Sequence, residues 1–521
     1  MARCYMEQYQ IDALLCPSTY PDATSSVTLL HTHISWLFLT DTHVYKFKKP
    51  VDFGFLDFTT LEKRRFYCNE ELRLNRRLSP DIYLGIAELR EGDNRRLSIN
   101  GRGQLIDYAV KMVRLPEQRM MAKLLDEDKV SPADIIDIAH LVARFHDAAA
   151  RGPRTDLFGS VEMIRANWDE NLQQARPYLG RTISSQTLEM IGSWAIKRLQ
   201  KDEKLFRSRV ADGFIRECDG DLHSENICLD DTVHIFDCIE FNEKFRFTDT
   251  AADVAFMVMD LENHGRRDLA DLFVTEYIAA SGDRGIQEVL PLYLANRAFI
   301  RGKVESFRLE DGGIPEIEKF AATKRARKFF RLSRGYALRE TFPFSLIMTC
   351  APSGCGKSSM AAEFAFQLGL EHFSTDIERK RMAGIAPGER GGDIYTPEWN
   401  SQTYQRLENL AREKLSKGYS VVLDGTFIRR SNRDAFATLT RTAGCALVIL
   451  RLDCPPETVR KRFETRAQET YSYSDGTWEV YVQQSSMIEE PDSSEGVVIH
   501  LDATLSPEQM VDQALEHLGM F

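Results

Sequence analysis

One stretch decides the fold of the C-terminal third of this chain: Leu346-Ile-Met-Thr-Cys-Ala-Pro-Ser-Gly-Cys-Gly-Lys-Ser-Ser359. The apolar run over residues 344–350 predicts a buried strand, and a helical pattern of apolar residues follows over 359–369. A strand, a glycine-containing turn and a helix in this order are typical of a loop whose backbone N–H groups surround phosphate oxygens. Ala351 stands where this pattern usually has its first glycine, and alanine does not favour a positive φ.

The turn itself supplies candidate ligands for a nucleotide and its metal ion. Lys357 is placed to reach the β- and γ-phosphates, and the Ser358 hydroxyl is placed to hold Mg²⁺. We therefore predict that ATP and Mg²⁺ are the cofactors. The predicted cofactor-binding residues of this loop are Ser353, Gly354, Cys355, Gly356, Lys357, Ser358 and Ser359.

Composition limits the class of protein. A chain of 521 residues predicts two to four domains, and its net charge of −11 argues against a generally basic protein that coats nucleic acid. The N-terminal residues lack the apolar run of a signal peptide, and no apolar run is long enough for a membrane span. Ten cysteines without a CxxC pair indicate reduced thiols, so we predict a cytoplasmic protein with no membrane partner.

Strands and helices alternate from residue 344 to the C-terminus. Strands are predicted at 344–350, 420–424, 446–452 and 497–501, with a shorter strand ending near Asp376. This alternation predicts an α/β domain over 336–521 with a parallel sheet between helices.

Three further positions in this domain carry candidate chemistry. Asp376, where a strand gives way to a helix, is predicted to orient or deprotonate an acceptor hydroxyl. Asp424 ends an apolar strand and either holds Mg²⁺ through water or caps the following turn. Arg462 and Arg466 are four residues apart on a predicted helix; they either close on the transferring phosphoryl group or form a solvated face.

The first 335 residues predict a small sheet-rich lobe followed by a larger helical lobe. Their strongest chemical signal is a predicted β-hairpin over 227–236, flanked by Asn226 and Asp237, with Asp221 five residues before Asn226. Closure of the hairpin can bring the amide and the carboxylate near one metal ion, while Asp221 accepts a hydroxyl proton. The alternative is a structural turn rich in Asp and Asn.

These residues resemble those of the aminoglycoside phosphotransferase and protein-kinase-like superfamily. The segment from Asp221 to Asn226 is similar to its catalytic loop, and Asp237 is similar to its metal-binding aspartate. The strand Val44-Tyr-Lys46-Phe resembles the strand with the ATP-binding lysine. The resemblance implies a bilobal fold over 1–335, and with it three further nucleotide-site residues: Lys46, its partner Glu71, and Met112 in the segment that borders adenine.

Two positions depart from that superfamily. Asp219 stands where the catalytic loop usually begins with His, and the turn expected over the phosphates, His31-Thr32-His33, has no glycine. A bulkier turn approaches phosphates less closely. We expect the carboxyl of Asp219 to lie near those of Asp221 and Asp237, where mutual repulsion raises at least one pKa.

The C-terminal domain resembles small P-loop kinases of the gluconate kinase, chloramphenicol phosphotransferase and polynucleotide kinase type. Both domains in this order are similar to a bacterial two-domain family with an aminoglycoside-phosphotransferase-like domain fused to a P-loop ATP-binding domain. The resemblance implies an ATP-dependent phosphotransferase that acts on hydroxyl groups of an unidentified small molecule. Two alternatives stay open: an N-terminal pseudokinase that regulates a C-terminal kinase, or a C-terminal polynucleotide 5′-hydroxyl kinase.

A basic segment lies at the predicted domain boundary. Residues 319–339 contain eight Lys and Arg and no Asp or Glu. They predict a solvated helix face, a contact with the other domain, or a site for a polyanion, and this last option is why nucleic acid stays a partner that we do not favour.

Overall fold

The computed structural model describes residues 6–54, 56–386, 389, 392–466 and 476–520, without the side chains of 94, 393 and 466. The chain divides into two compact units, Met1–Phe329 and Phe330–Phe521. The boundary predicted from sequence, after residue 335, lies in the same helix, Glu316–Arg339. No helix in the described ranges combines the length and apolar character needed to cross a membrane.

A six-stranded antiparallel sheet opens the N-terminal unit. Its strand order is β1-β2-β3-β6-β4-β5, and a two-stranded hairpin, β8 with β9, and a second pair, β7 with β10, come later in the chain. The strands are β1 Thr28–His31, β2 Ser35–Leu39, β3 His43–Lys48, β4 Tyr83–Glu91, β5 Leu97–Ile99, β6 Gln104–Val113, β7 Ile215–Glu217, β8 Ile227–Leu229, β9 Val233–Ile235 and β10 Phe247–Asp249.

Helices make up most of the remainder of this unit. Ser131 caps α4 through a capping box with Asp134 and precedes a proline at the first helical position, and Thr60 caps α2. The helices are α1 Gln8–Ala13, α2 Leu61–Asn75, α3 Met121–Asp126, α4 Pro132–Ala148, α5 Pro153–Asp156, α6 Val161–Ala175, α7 Ser185–Lys201, α8 Glu203–Ala211, α9 Glu243–Arg246, α10 Thr250–Asn263, α11 Arg267–Ser281, α12 Ile286–Phe307 and α13 Glu316–Arg339.

The C-terminal unit contains a five-stranded parallel sheet, which confirms the parallel sheet predicted for this region. The strand order β12-β13-β11-β14-β15 places the strand before the glycine loop in the centre. The strands are β11 Ser345–Cys350, β12 Glu371–Ser374, β13 Val421–Asp424, β14 Ala446–Asp453 and β15 Val497–Asp502. The helices are α14 Lys357–Leu368, α15 Thr375–Met382, α16 Pro397–Ser416, α17 Arg430–Ala443, α18 Pro456–Arg466, α19 Trp478–Ser486 and α20 Pro507–His517.

The core of this unit packs around the central strands. Every residue of β11 and β13 is buried, and apolar side chains of α16 and α17 join them in one cluster. Strands buried on both faces have continuous apolar sequences, which is why the sequence located them so closely. The shorter strand is the exception: it ends at Ser374, so Asp376 lies inside α15 and not at the strand end that the sequence predicts.

The basic residues of α13 have partners within their own units. In the N-terminal unit Arg325 pairs with Glu305 and Glu318 at 2.9 and 2.8 Å. In the C-terminal unit Arg331 pairs with Glu363 at 2.8 Å. Gly335, further along the helix, lies so close to α14 that an added Cβ would be 1.8 Å from the Gln367 carbonyl oxygen.

Candidate functional site

The glycine loop between β11 and α14 has the backbone geometry of an anion-binding site. Gly354 and Gly356 both adopt positive φ, at 85° and 92°, and α14 begins at Lys357. Positive φ at alternate positions turns successive N–H groups toward one side, and a helix N-terminus adds partial positive charge there. Within the described residues the positive φ angles of this loop belong to these two glycines, so Ala351 has no need to be glycine.

Lys357 is buried at the start of α14, and its ammonium group donates to the Pro352 carbonyl at 2.7 Å. The side chain of Lys357 therefore folds toward the loop that precedes it and contacts the backbone of that loop. A nucleotide phosphate would offer this ammonium group a charged acceptor in place of a neutral carbonyl, and charge-assisted hydrogen bonds are the stronger kind. The glycine cradle and the lysine therefore fit the phosphates of a nucleotide.

The first turn of α14 and helix α18 complete the loop's surroundings. Ser358 and Ser359 follow Lys357 in α14. A guanidinium nitrogen of Arg462 lies 3.2 Å from where a Cβ on Gly356 would be, and Arg462 also donates to the Ala503 carbonyl at 2.6 Å. The structure thus brings Arg462 to the loop, whereas the side chain of Arg466 lies outside the described part of the chain.

The two predicted carboxylates emerge at the same edge of the sheet as the loop. Asp424 ends β13, where it pairs in register with Ser374 of β12, and its side chain is buried. Asp376 lies two residues after Ser374, and its carboxylate accepts a hydrogen bond from Arg379 at 2.9 Å. Because the carboxyl ends of parallel strands share one edge, both acids lie on the side where such sheets bind ligands.

In the N-terminal unit, Lys46 forms two ion pairs. Its ammonium group lies 2.9 Å from Glu71 of α2 and 2.5 Å from Asp237, which follows the hairpin. Burial would raise the pKa of Glu71, but the ammonium groups of Lys46 and Lys48 outweigh it and hold that pKa below its usual value. The lysine is therefore positioned by side chains from two other segments of the chain.

Asp237 adopts a strained backbone conformation. Its φ is 66°, which is uncommon for a residue other than glycine, and its N–H donates to the Tyr83 hydroxyl at 3.0 Å. Nearly half of its side chain is exposed, at 46%. A strained, partly exposed carboxylate beside a buried lysine is typical of a functional site.

The catalytic-loop residues predicted from sequence lie together. The side-chain amide nitrogen of Asn226 donates to the carboxylate of Asp221 at 3.1 Å. The backbone carbonyl of Asn226 accepts the N–H of Phe236, which is next to Asp237. Because the amide nitrogen faces Asp221, its oxygen is the atom left for a cation, and Asn and Asp oxygens suit Mg²⁺. Burial would raise the pKa of Asp221, but His223 beside it outweighs that effect and lowers the pKa.

Asp219 is buried, and one of its two carboxyl oxygens contacts the loop backbone. One oxygen accepts the N–H of Asp221 at 3.1 Å, and burial together with the nearby Asp253 carboxylate raises the pKa of Asp219 to about 8. The main acidic neighbours that raise this pKa are Asp253 and Asp221. The expected repulsion therefore involves Asp221 as predicted, with Asp253 in the place that we expected for Asp237.

The structure also identifies residues that the sequence argument missed. Asp253 of α10 accepts the N–H groups of Asp219 and Gly220 at 2.7 and 2.9 Å, and His146 lies 3.3 Å from its carboxylate. Asp253 sits among apolar residues in the first turns of α10, and an acid in that apolar surrounding was the available signal. Lys48 is two residues after Lys46 and therefore lies on the same face of the strand β3. Its ammonium group pairs with Glu71 at 2.7 Å and with Glu240.

Met112 and the turn His31-Thr32-His33 both have contacts within the N-terminal unit. The Met112 side chain packs in a hydrophobic cluster with Cys68, Leu72 and Tyr83. The turn between β1 and β2 is closed by Thr32, whose N–H donates to the Ser35 carbonyl at 3.0 Å. Every described cysteine is a free thiol.

Comparison with known proteins covers both units. The uncharacterized proteins Rv2004c and MT2060 of Mycobacterium tuberculosis (strains H37Rv and CDC 1551) and Mb2027c of Mycobacterium bovis are each 30% identical over 447 residues. The alignment covers 85% of this chain and 86% of each relative. The chain belongs to the Rv2004c family.

In this member of the Rv2004c family, residues 346–491 match a family model described as an AAA domain. Three solved structures are also similar over about a third of the chain. They are a gluconokinase from Sinorhizobium meliloti 1021 (21% identity, 34% of this chain, 94% of that chain, TM-score 0.26), a sugar kinase from Janibacter sp. HTCC2649 (21%, 34%, 96%, 0.27) and the shikimate kinase from Aquifex aeolicus (15%, 33%, 95%, 0.23).

Proposed function

We propose that this protein is an ATP-dependent phosphotransferase with two kinase-like modules, each transferring the γ-phosphoryl group of ATP to a hydroxyl group of a small molecule. The observation that carries the proposal is the glycine loop between β11 and α14, with two positive-φ glycines, a helix N-terminus and the buried Lys357. The match of residues 346–491 to an AAA domain model supports it.

In the C-terminal module, each candidate residue has a role that its position supports. Lys357 and the loop N–H groups hold the phosphates, Ser358 holds Mg²⁺ directly, and Asp424 holds it through water. Asp376 orients or deprotonates the acceptor hydroxyl. Arg462, which lies against Gly356, stabilises the transferring phosphoryl group. We propose the same role for Arg466 because it lies on the same helix, four residues further on.

In the N-terminal module, we propose a protein-kinase-like site. Lys46 positions the phosphates, Asp221 accepts the hydroxyl proton, and Asn226 with Asp237 holds Mg²⁺, which neutralises charge on the triphosphate. The ion pair of Lys46 with Glu71 and the contact of Asn226 with Asp221 support these roles. Met112, near the end of β6, belongs to the segment that we propose borders adenine.

A regulatory role for the N-terminal unit is the second candidate. The observation that favours it is Asp219: with a pKa of about 8, this carboxyl is largely protonated at neutral pH. The site then contains a neutral acid where related catalytic loops have His. The nucleic-acid alternative is less favoured, because Arg325 and Arg331 of the basic helix are paired with glutamates.

The test is a screen with γ-labelled ATP in the full-length protein. Hydroxyl-bearing metabolites, aminoglycosides and 5′-hydroxyl oligonucleotides are offered as acceptors to the wild type, Asp221→Asn and Lys357→Ala. Label transfer that only Asp221→Asn abolishes belongs to the N-terminal module, and transfer that only Lys357→Ala abolishes belongs to the C-terminal module. Transfer by the C-terminal module alone, with ATP binding retained in the N-terminal unit, would establish the regulatory candidate.

A further inference from the structure

A side chain from α19 accepts a hydrogen bond from one of the N–H groups of the glycine loop. The backbone N–H of Ser353 donates to Oε1 of Gln484 at 2.7 Å. A backbone N–H has a single hydrogen to donate. While this contact stands, Ser353 therefore offers its donor to Gln484 and not to another acceptor.

The atom that Gln484 presents to the loop is an acceptor. Only the oxygen of the amide can accept from an N–H, so the contact fixes the orientation of the side chain. A nucleotide phosphate would present oxygen acceptors to the same loop. Gln484 thus places an uncharged oxygen where the loop's geometry favours a phosphate oxygen.

The chain around Gln484 is held in place by backbone hydrogen bonds. After α19, the N–H of Glu489 donates to the Ile428 carbonyl at 2.8 Å. Two residues before Ile428, the Thr426 carbonyl accepts the N–H of Ala351 at 3.1 Å, at the start of the glycine loop. One short segment after β13 therefore anchors both the loop and the chain that carries Gln484.

Space for a ligand lies beside this contact. A cavity of about 690 Å³ is lined by Pro352 and Cys355 of the loop and by Tyr481 and Ser485 of α19. Helix α19 therefore borders open volume beside the loop through Tyr481, one turn before Gln484, and through Ser485, next to Gln484.

We propose that Gln484 is an internal competitor for the phosphate site: its side-chain oxygen holds the Ser353 N–H until a nucleotide phosphate replaces it. The inference rests on the proposed nucleotide site and adds a residue that sets the affinity of that site for phosphate. The competition concerns the loop alone, so it affects ligands with phosphate and leaves a nucleoside without phosphate unaffected.

The test compares two neighbouring glutamines in the full-length protein. Every protein carries Lys46→Met, which weakens the N-terminal nucleotide site, and binding of ADP with Mg²⁺ is measured by calorimetry. Gln484→Ala removes the competing oxygen, so ADP binds about two- to tenfold more tightly, as expected for the net strength of one hydrogen bond. Gln484→Glu places a carboxylate at the loop, which repels phosphate and weakens ADP binding about tenfold or more.

The matched controls are Gln483→Ala and Gln483→Glu, at an exposed position one residue away, with the same changes in size and charge. Both leave the ADP affinity unchanged. Inorganic pyrophosphate shows the same tightening as ADP with Gln484→Ala, and adenosine shows none. Weaker or unchanged ADP and pyrophosphate binding with Gln484→Ala overturns the competitor role. A parent protein that binds no ADP sensitive to Lys357→Ala overturns the proposed nucleotide site and this inference together.

Discussion

The two units hold their candidate phosphate-binding lysines in opposite ways. Lys46 is fixed by the carboxylates of Glu71 and Asp237, which come from segments far apart in the chain. Lys357 lies within one continuous loop and donates to a neutral carbonyl of that loop. The first site depends on charges assembled by the tertiary fold, whereas the second depends on backbone geometry that a short sequence specifies. The following predictions separate these two designs.

The largest effect is expected from Lys357→Ala. Loss of one positioned cation that contacts transferring phosphate costs about 3–4 kcal/mol of transition-state stabilisation, so turnover by the C-terminal module falls on the order of a few hundredfold. Steady-state kinetics with labelled ATP measure it, and Lys461→Ala, an exposed lysine of α18, is the control. Full C-terminal turnover after this change would remove Lys357 from the site.

A smaller effect is expected when the backbone of the loop changes and its charge does not. In Gly354→Ala the new Cβ would lie 2.7 Å from the Phe463 ring, at a φ of 85°. Strain of about 1–3 kcal/mol weakens nucleotide binding to the loop about ten- to a hundredfold. Gly418→Ala is the control, because Gly418 has a φ of 81° with nothing within 4 Å of its Cβ position. Equal nucleotide affinity of the two variants would show that the loop adjusts to a side chain.

In the N-terminal unit, a change of charge is expected to matter more than a change of backbone. Asp237→Ala removes the carboxylate proposed for Mg²⁺ and one partner of Lys46, and we expect about tenfold weaker Mg·ATP binding, since hydrogen bonds to charged groups contribute about 1.5–3 kcal/mol. Binding is measured in a Lys357→Ala background, with Asp230→Ala at the exposed hairpin turn as control. If Mg·ATP affinity is the same with and without Asp237, the metal site lies elsewhere.

The last prediction concerns the pH dependence of stability, which is a different readout from nucleotide binding and turnover. The pKa of Asp219 is about 8 in the folded protein against an ordinary value of 3.8, so between these values the folded state keeps a proton that the unfolded state releases. The stability from this group is therefore present below about pH 4 and is lost as the pH rises through about 8. Asp219→Asn cannot ionise, so its melting temperature relative to the wild type should rise from pH 5 to pH 9. A difference that does not vary with pH would contradict the buried, protonated carboxyl.

The same contrast explains which parts of the molecule the sequence predicts well. The strands β11, β13, β14 and β15 were located to within a residue or two. For β11 and β13 the reason is that strands buried on both faces have continuous apolar sequences. The glycine loop could be predicted just as directly, because its candidate phosphate-binding residues are contiguous in the sequence. The grouping of Lys46, Glu71 and Asp237 could be predicted only through resemblance to a known superfamily, because no local pattern connects residues so far apart.

Other features were beyond the sequence for physical reasons. The strand β4 was not predicted, although it pairs with β6 over most of its length, and its register shifts interrupt the simple alternation of side chains. The contact of Gln484 with Ser353 joins residues more than a hundred positions apart through a backbone donor, which leaves no trace in residue type. The brace that Asp253 provides to the Asp219 and Gly220 backbone likewise depends on backbone N–H groups.

The close approach at Gly335 determines where this protein can be cut into stable pieces. The half of α13 that belongs to the C-terminal unit packs on α14 without a side chain at that position, while Arg331 and Arg334 pair with residues of the same unit. A recombinant fragment that starts at residue 340 would lose these contacts and expose the apolar surface of α14 to water. Expression of the nucleotide-binding half by itself should therefore begin upstream of Phe330, even though the glycine loop begins about twenty residues later.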